Sequence, residues 1–488
     1  MKEKRLTILF LACLLALSAV SCGGTTETAE NLPAETAAET EPEETGYHAD
    51  YLPDVTYDGY LYRVASFADY PKDITEPTGD LVDDAVYTRN MLLEEKYNIA
   101  FTTMEIPYNE YSKNLELMKN AAMAQSDDFD LCVLVLKDAY NSVLDGYAPT
   151  MNELPYADMS QPWYYQTLND KLTFEGISLL GVNSYDLNPG GRCLIFNKNM
   201  IEMFGLDSPY DMVADGTWTL ENMYAMASAA IGDLNGDGKF QLDEDRFGMI
   251  GEPDAITTLM YAGSGLTLVE EVDGKLTVSQ NEKLIDLLFL YLNNTEQDGI
   301  LFDPFVKIKW EENSRLLGNE FFIRDGALFL YRTTDALTSF GDMESDYGIV
   351  PCPKANEEQT QYYTPITGGN IAMPLSCSAD LERVSVIREA LAVESLNMVH
   401  PAYYENSLQK RYVRDMESIE MMELITSTPV LDFGNTIWWD TVREPWLYCV
   451  QNRKDDIVSR ITKSLPKSEK AIQDLLDMVA ELKANTES

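Results

Sequence analysis

The sequence predicts an α/β fold, a mostly parallel sheet with helices on both faces, and three observations point to it. Strand-like and helix-like segments alternate as β, α, β, α, β between residues 60 and 136. The run Leu131-Cys132-Val133-Leu134-Val135-Leu136 is apolar without alternation, as in a strand covered on both faces. The chain has 488 residues, enough for two or three domains and a large buried core.

Taken in order, Lys2, Lys4 and Arg5 precede the apolar run 6–17, which is too short to span a bilayer and reads as an export signal. It ends in Ala19-Val20-Ser21-Cys22, which resembles a bacterial lipoprotein box. That resemblance implies cleavage after residue 21, a diacylglycerol on the Cys22 sulfur and a place on the outer face of the bacterial cell membrane. Ala19 stands where the pattern prefers Leu, so an ordinary secretory signal is the alternative. Residues 22–56 are rich in Thr, Glu, Ala and Pro, and an acidic segment without Lys or Arg reads as an unfolded, self-repelling tether.

Structure is expected from residue 57. Residues 60–67 read as a strand, 81–96 as a helix with Val82, Ala85, Val86 and Leu93 on one face, 97–106 as a strand and 111–124 as a helix. The strand 130–136 then leads to Asp138. In open α/β sheets ligands bind beyond the carboxyl ends of strands, so Asp138 is either a ligand contact or the cap of a helix starting at Ala139. Trp163-Tyr164-Tyr165 cannot all enter one core, which leaves Trp163 as a ligand plate or an ordinary packing residue. Tyr70, after the first strand, is a further candidate.

Residues 233–244 specify a chemistry. They fit D-x-[DN]-x-[DN]-G-x5-E, the twelve-residue calcium loop. Asp233, Asn235 and Asp237 would supply side-chain oxygens, Lys239 its carbonyl, Gln241 a direct or water-bridged contact and Glu244 a bidentate carboxylate. Gly238 stands where the loop turns sharply, and Phe240 at position eight is apolar, as an anchored loop requires. A structural Ca²⁺ is therefore expected.

Residues 194–199, followed by Phe204-Gly205-Leu206, Pro209 and Thr217-Trp218-Thr219, resemble the family 1 extracellular solute-binding proteins of ABC importers. Gly326-Ala327-Leu328-Phe329, Asp346-Tyr347-Gly348-Ile349-Val350-Pro351-Cys352-Pro353 and Thr367-Gly368-Gly369-Asn370 resemble later segments of that family in the same order. The resemblance implies a two-lobed periplasmic-binding-protein-like fold of type II, each lobe a mixed, mostly parallel sheet flanked by helices. The first lobe would be 57–187 plus 351–404, and the second 188–350 plus 405–488 with the calcium loop. It also implies a monomeric receptor that captures a neutral solute, a mono- or oligosaccharide, and docks on membrane permease subunits.

Within that frame, 437–443 resembles the segment where maltose-binding-type proteins carry a stacking aromatic, which makes Trp439 and its neighbour Trp438 candidate sugar plates. Gly190, at the first crossing between lobes, and Arg332 and Thr334 are candidate ligand contacts by the same resemblance. Relatives with a carboxylate at that crossing grip sugar hydroxyls. Glycine stands here, so maltodextrin specificity does not carry over. Trp218 reads as core, next to a helix cap at Thr217 or Thr219.

A formal charge of −45 excludes nucleic acid as a partner and disfavours acidic ligands. Apart from Cys22 the mature chain has Cys132, Cys193, Cys352, Cys377 and Cys449 with no CxxC, neither a disulfide framework nor a zinc set. His48 and His400 are the only histidines, which argues against a hydrolytic triad. The competing reading is a secreted glycan-degrading enzyme with two carboxylates about 5 to 9.5 Å apart. A calcium-dependent adhesion module would show repeats, and none is found.

Overall fold

A computed structural model describes residues 46–67, 76–106, 112–186, 191–242, 244–273, 275–303, 314–366, 369–403 and 414–486. Residues 47–488 form one compact unit that holds two main sheets. Their strands are β1 (Tyr60–Phe67), β2 (Ile99–Ile106), β3 (Leu131–Val135), β4 (Arg192–Asn197), β5 (Phe247–Ile250), β6 (Leu301–Phe302), β7 (Ala327–Thr333), β8 (Tyr347–Val350) and β9 (Asn370–Pro374).

The first sheet has the order β9-β3-β1-β2, with β1 parallel to both β2 and β3 and β9 antiparallel to β3. Helices α1 (Leu81–Tyr97), α2 (Ser112–Ala124) and α3 (Leu136–Leu144) make the crossovers and the cover. The start of α1 is fixed by Asp80, whose carboxylate accepts the amides of Val82 and Asp83. Asn98, at φ 48°, ends it and turns the chain into β2.

Every residue from Leu131 to Leu134 is fully buried, because alternate side chains enter different layers. Leu131 and Val133 pack with Leu93, Tyr97, Trp163 and Ile387, while Cys132 and Leu134 pack with Met118, Ala139 and Val143.

The second sheet has the order β6-β5-β7-β4-β8, with β4 antiparallel to β7 and β8. One face, with Leu194, Met249 and Tyr331, packs on Trp218, Leu220 and Met223. The other, with Ile195, Phe247 and Leu330, packs on Phe321, Phe322 and Phe340. Thr219 caps the helix Leu220–Ala230 through the Asn222 amide, and Trp218 is fully buried with its indole N–H donated to the Pro351 carbonyl at 2.9 Å. The chain is thus an α/β protein with two mixed sheets flanked by helices.

Three features differ from the sequence expectation. Helix α3 begins at Leu136, with no turn after β3, so Asp138 lies inside its first turn and is not the residue before it. Packed chain begins at Tyr47 and not at residue 57. The Tyr47 amide donates to Asn397 Oδ1 at 2.9 Å, and the Tyr51 ring stacks 6.4 Å from Trp163. Finally, one apolar cluster contains Ala65 and Leu134 of the first sheet together with Leu194 and Met249 of the second.

The C-terminal segment makes that continuity. Phe174 meets Phe433 at 5.7 Å, and Tyr140 on α3 meets Trp438 edge-on at 6.3 Å. The expected first crossing near residue 188 and the last near 404 lie outside the described residues. Cys132, Cys193, Cys352, Cys377 and Cys449 are all free thiols.

Candidate functional site

Where β3 gives way to α3, Lys137 and Asp138 leave the first sheet and meet the π-helical turn Trp439–Arg443 of the C-terminal segment. Lys137 forms an ion pair with Asp440, and its Nζ lies 4.6 Å from the centre of the Trp439 ring. The Arg443 guanidinium lies 5.2 Å from the same ring. Trp439 is therefore a partly exposed indole flanked by two cations. Lys467, from the C-terminal helix Ile457–Thr486, donates to the Asp440 carbonyl at 3.3 Å and fixes the turn.

Asp138 is almost fully buried beside this group. Burial raises its pKa, Lys137 works against that rise, and Asp440 adds to it. Arg443 is partly buried, and burial lowers its pKa in spite of the nearby Asp254 and Asp440.

The second sheet reaches the same region through Arg192, the first residue of β4. Gly191 bridges to Ile366, and its carbonyl accepts the Thr334 amide at 3.1 Å, which ties the end of β7 to the residue before β4. The Arg192 guanidinium lies 5.4 Å from the Tyr331 ring and within electrostatic range of Arg443.

The structure thus brings Asp138 and Trp439 together and separates the other candidates. Trp438 is 6% exposed and packed on Tyr140 and Phe433, so it is a core residue and no sugar plate. Trp163 is also core. It is 2% exposed and donates its indole N–H to Glu389 at 3.0 Å, so the polar end of this indole is satisfied within the cluster that covers the first sheet.

Arg332 points to the face of β7 opposite Tyr331, where it forms a buried 2.9 Å ion pair with Glu252 and donates to Asn319. Room for it comes from Gly318, where a Cβ would sit 2.5 Å from the Arg332 guanidinium. Thr334 is buried beside Gly191. Cys22, Tyr70 and Gly190 lie outside the described residues. Lys137, Arg192, Asp440 and Arg443 were not singled out from sequence. The available signal was position: two flank chosen residues, and two lie within or beside quoted segments.

In loop 233–244, Asp233 accepts the amides of Gly236 and Gly238 at 2.7 and 2.8 Å, Asn235 accepts that of Asp237 and Asp237 that of Lys239. Gly236 and Gly238 have φ of 76° and 77°, a conformation open to glycine. Glu244 accepts the side-chain amides of Asn235 and Gln241 at 2.7 and 3.2 Å. Phe240 is edge-on to Phe247 at 5.8 Å and anchors the loop on the second sheet. Among the described residues no three His, Cys, Asp or Glu side chains converge closely enough to hold a metal ion. The donor types are nevertheless all oxygen, as a hard cation requires.

His400 is also structural. It lies 3.3 Å from the Tyr165 hydroxyl and 3.2 Å from the Ser184 carbonyl, and burial lowers its pKa to about 4.

No protein-family model and no curated protein matches this sequence. Solved structures do. UspC of M. tuberculosis superposes with a TM-score of 0.53 at 15% identity, covering 83% of this chain and 98% of UspC. An ABC transporter solute-binding protein from Agrobacterium radiobacter K84, in complex with ribitol, superposes with a TM-score of 0.56 at 11% identity, covering 85% of this chain and all of that one. The chain has the fold of the periplasmic binding proteins.

Proposed function

We propose that this protein is the extracellular solute-binding receptor of an ABC transporter. In this reading it takes a polyhydroxylated solute, a mono- or oligosaccharide or a polyol, between its two halves and delivers it to membrane permease subunits. The observation that carries the reading is the fold match, which extends over 85% of this chain and the whole of a receptor holding ribitol. Trp439 supports it, since a partly exposed ring gives a sugar's C–H face something to stack on.

Titration calorimetry of the mature protein against sugars and polyols tests the proposal. Micromolar or tighter binding that Trp439→Ala weakens by about 2 kcal/mol or more would support it. A panel in which nothing binds would remove its main support. The anchor on Cys22 belongs to the same proposal. Cys22→Ser should release the protein from membranes, and an unchanged membrane fraction would count against it.

We also propose that loop 233–244 binds calcium as a structural ion, held by Asp233, Asn235, Asp237, Glu244, the Lys239 carbonyl and Gln241. The glycine-shaped turn and the all-oxygen donor set support it. Tenfold excess of calcium over its dissociation constant would stabilise the fold by about 1.4 kcal/mol. Chelation should lower Tm in the wild type and leave Asp233→Ala/Glu244→Ala unchanged. A chelator-insensitive wild type would refute the site.

A further inference from the structure

The formal charge of −45 argues against an anionic solute, but two arginines at the candidate site have no ion-pair partner among the described residues. Arg192 is 6% exposed, and among the described residues no carboxylate lies within ion-pair distance of its guanidinium and no acceptor takes a hydrogen bond from it. What it does meet is the ring of Tyr331 at 5.4 Å. Arg443, on a different element, is in the same state. Among the described residues its Nε is buried without a partner, and its guanidinium has the Trp439 ring at 5.2 Å. The two arginines repel one another across the site.

Of the carboxylates nearby, Asp254 lies within electrostatic range of Arg443, and three others are committed elsewhere. Asp440 is paired with Lys137. Asp432 accepts the amides of Leu268 and Gly434 and the side chain of Asn435. Glu252 is paired with Arg332 on the other face of the sheet. Protein interiors pair their buried charges or lose stability. Two neighbouring forks of N–H donors left without acceptors are a site waiting for oxygens.

Building on the receptor reading, we propose that the solute is a sugar acid: its carboxylate is gripped by Arg192 and Arg443 while its ring lies against Trp439. A monoanion suits the site better than a phosphate, because Asp254 and Asp440 stand within electrostatic range of Arg443 and would repel a second negative charge.

Calorimetry with matched pairs tests this: D-glucuronate against D-glucose, D-gluconate against D-glucitol, with D-glucose 6-phosphate as a third arm. The acid of at least one pair should bind about 10- to 100-fold tighter than its neutral twin, and Arg192→Met and Arg443→Gln should each erase that preference. Equal binding of acid and neutral twin, or tighter binding of the phosphate, overturns the proposal and leaves the receptor reading standing. If no compound of the panel binds, the receptor reading fails as well.

Thermal melting without solute separates a binding role from a structural one. Arg192→Met removes an unpaired buried charge, so Tm should hold or rise. A marked fall would show that Arg192 supports the fold and would overturn the assignment. Should Arg192→Met not fold, Arg443→Gln, at a partly exposed position, decides the matter by the same comparison of twins.

Discussion

Trp163→Phe separates a packing tryptophan from a ligand plate, and its size can be worked from the structure. The Glu389 carboxylate accepts the indole N–H of Trp163 at 3.0 Å, the Tyr51 hydroxyl at 2.9 Å and the Tyr164 hydroxyl. Next to it, Arg388 donates to the carbonyls of Ala372 and Gly181 and to the Tyr164 hydroxyl. A hydrogen bond to a charged acceptor contributes about 1.5 to 3 kcal/mol, and the smaller ring leaves a void worth roughly a further 1 kcal/mol. Trp163→Phe should therefore cost about 3 kcal/mol, a large part of a stability that is typically about 5 to 15 kcal/mol.

Glu389→Gln should cost about 3 to 5 kcal/mol, since it leaves Arg388 with Asp186 alone at 3.9 Å. The double variant should fall short of the sum, because both changes strike one network. Urea denaturation gives all three values. The reasoning is refuted if Trp163→Phe leaves the midpoint unchanged while weakening solute binding tenfold.

Three further outcomes are expected. Asp186 and Asp432 are buried carboxyls whose pKa burial raises to about 6, so between about pH 4 and 6 the folded state keeps protons that the unfolded state, with pKa about 3.9, has released. Their contribution to stability falls as pH rises through that window, and Asp186→Asn should flatten the Tm profile there; a parallel profile would refute this. Trp438→Ala should cost about 3 to 5 kcal/mol as a core truncation, whereas Trp439→Ala should barely move Tm; equal losses would contradict the division made between them. Gly299 has φ of 88°, and a Cβ there would lie 2.4 Å from the Phe240 ring, so Gly299→Ala should lower Tm and reduce its response to calcium, and an unaltered calcium response would show that Phe240 does not anchor the loop.

Much of the first sheet was readable because its signals are local. The apolar run at 131–135 has to be covered on both sides, and the helix from Leu81 shows in the shared face of Val82, Ala85, Val86 and Leu93. What escaped depends on partners far away in sequence. Residues 47–56 look like tether by composition, yet Tyr47 finds Asn397 and Tyr51 finds Glu389, more than 330 positions away. The two adjacent tryptophans, Trp438 and Trp439, are equivalent as sequence, and only packing on Tyr140 commits the first to the core. Arg192 gave no sign that it lacks a carboxylate partner among the described residues, since that is a property of the folded neighbourhood.

The adjacency of Trp438 and Trp439 bears on what would stay fixed and what would yield in the receptor reading. A receptor that closes on a solute needs a part that stays packed in both states, because tightly interlocked apolar surfaces shift between discrete arrangements and do not stretch. The seam of Tyr140, Trp438, Phe433 and Phe174 joins the first sheet's elements to the C-terminal segment by edge and tilted ring contacts, and prising it open would return several large side chains to water. That makes the seam the fixed side of any closure in the receptor reading. One residue further on, the chain leaves the core and presents Trp439 among Lys137, Asp440 and Arg443, where contacts are polar and can be exchanged at small cost for those of a solute. A single peptide bond thus separates the indole packed into the seam from the one that stands among polar contacts at its edge.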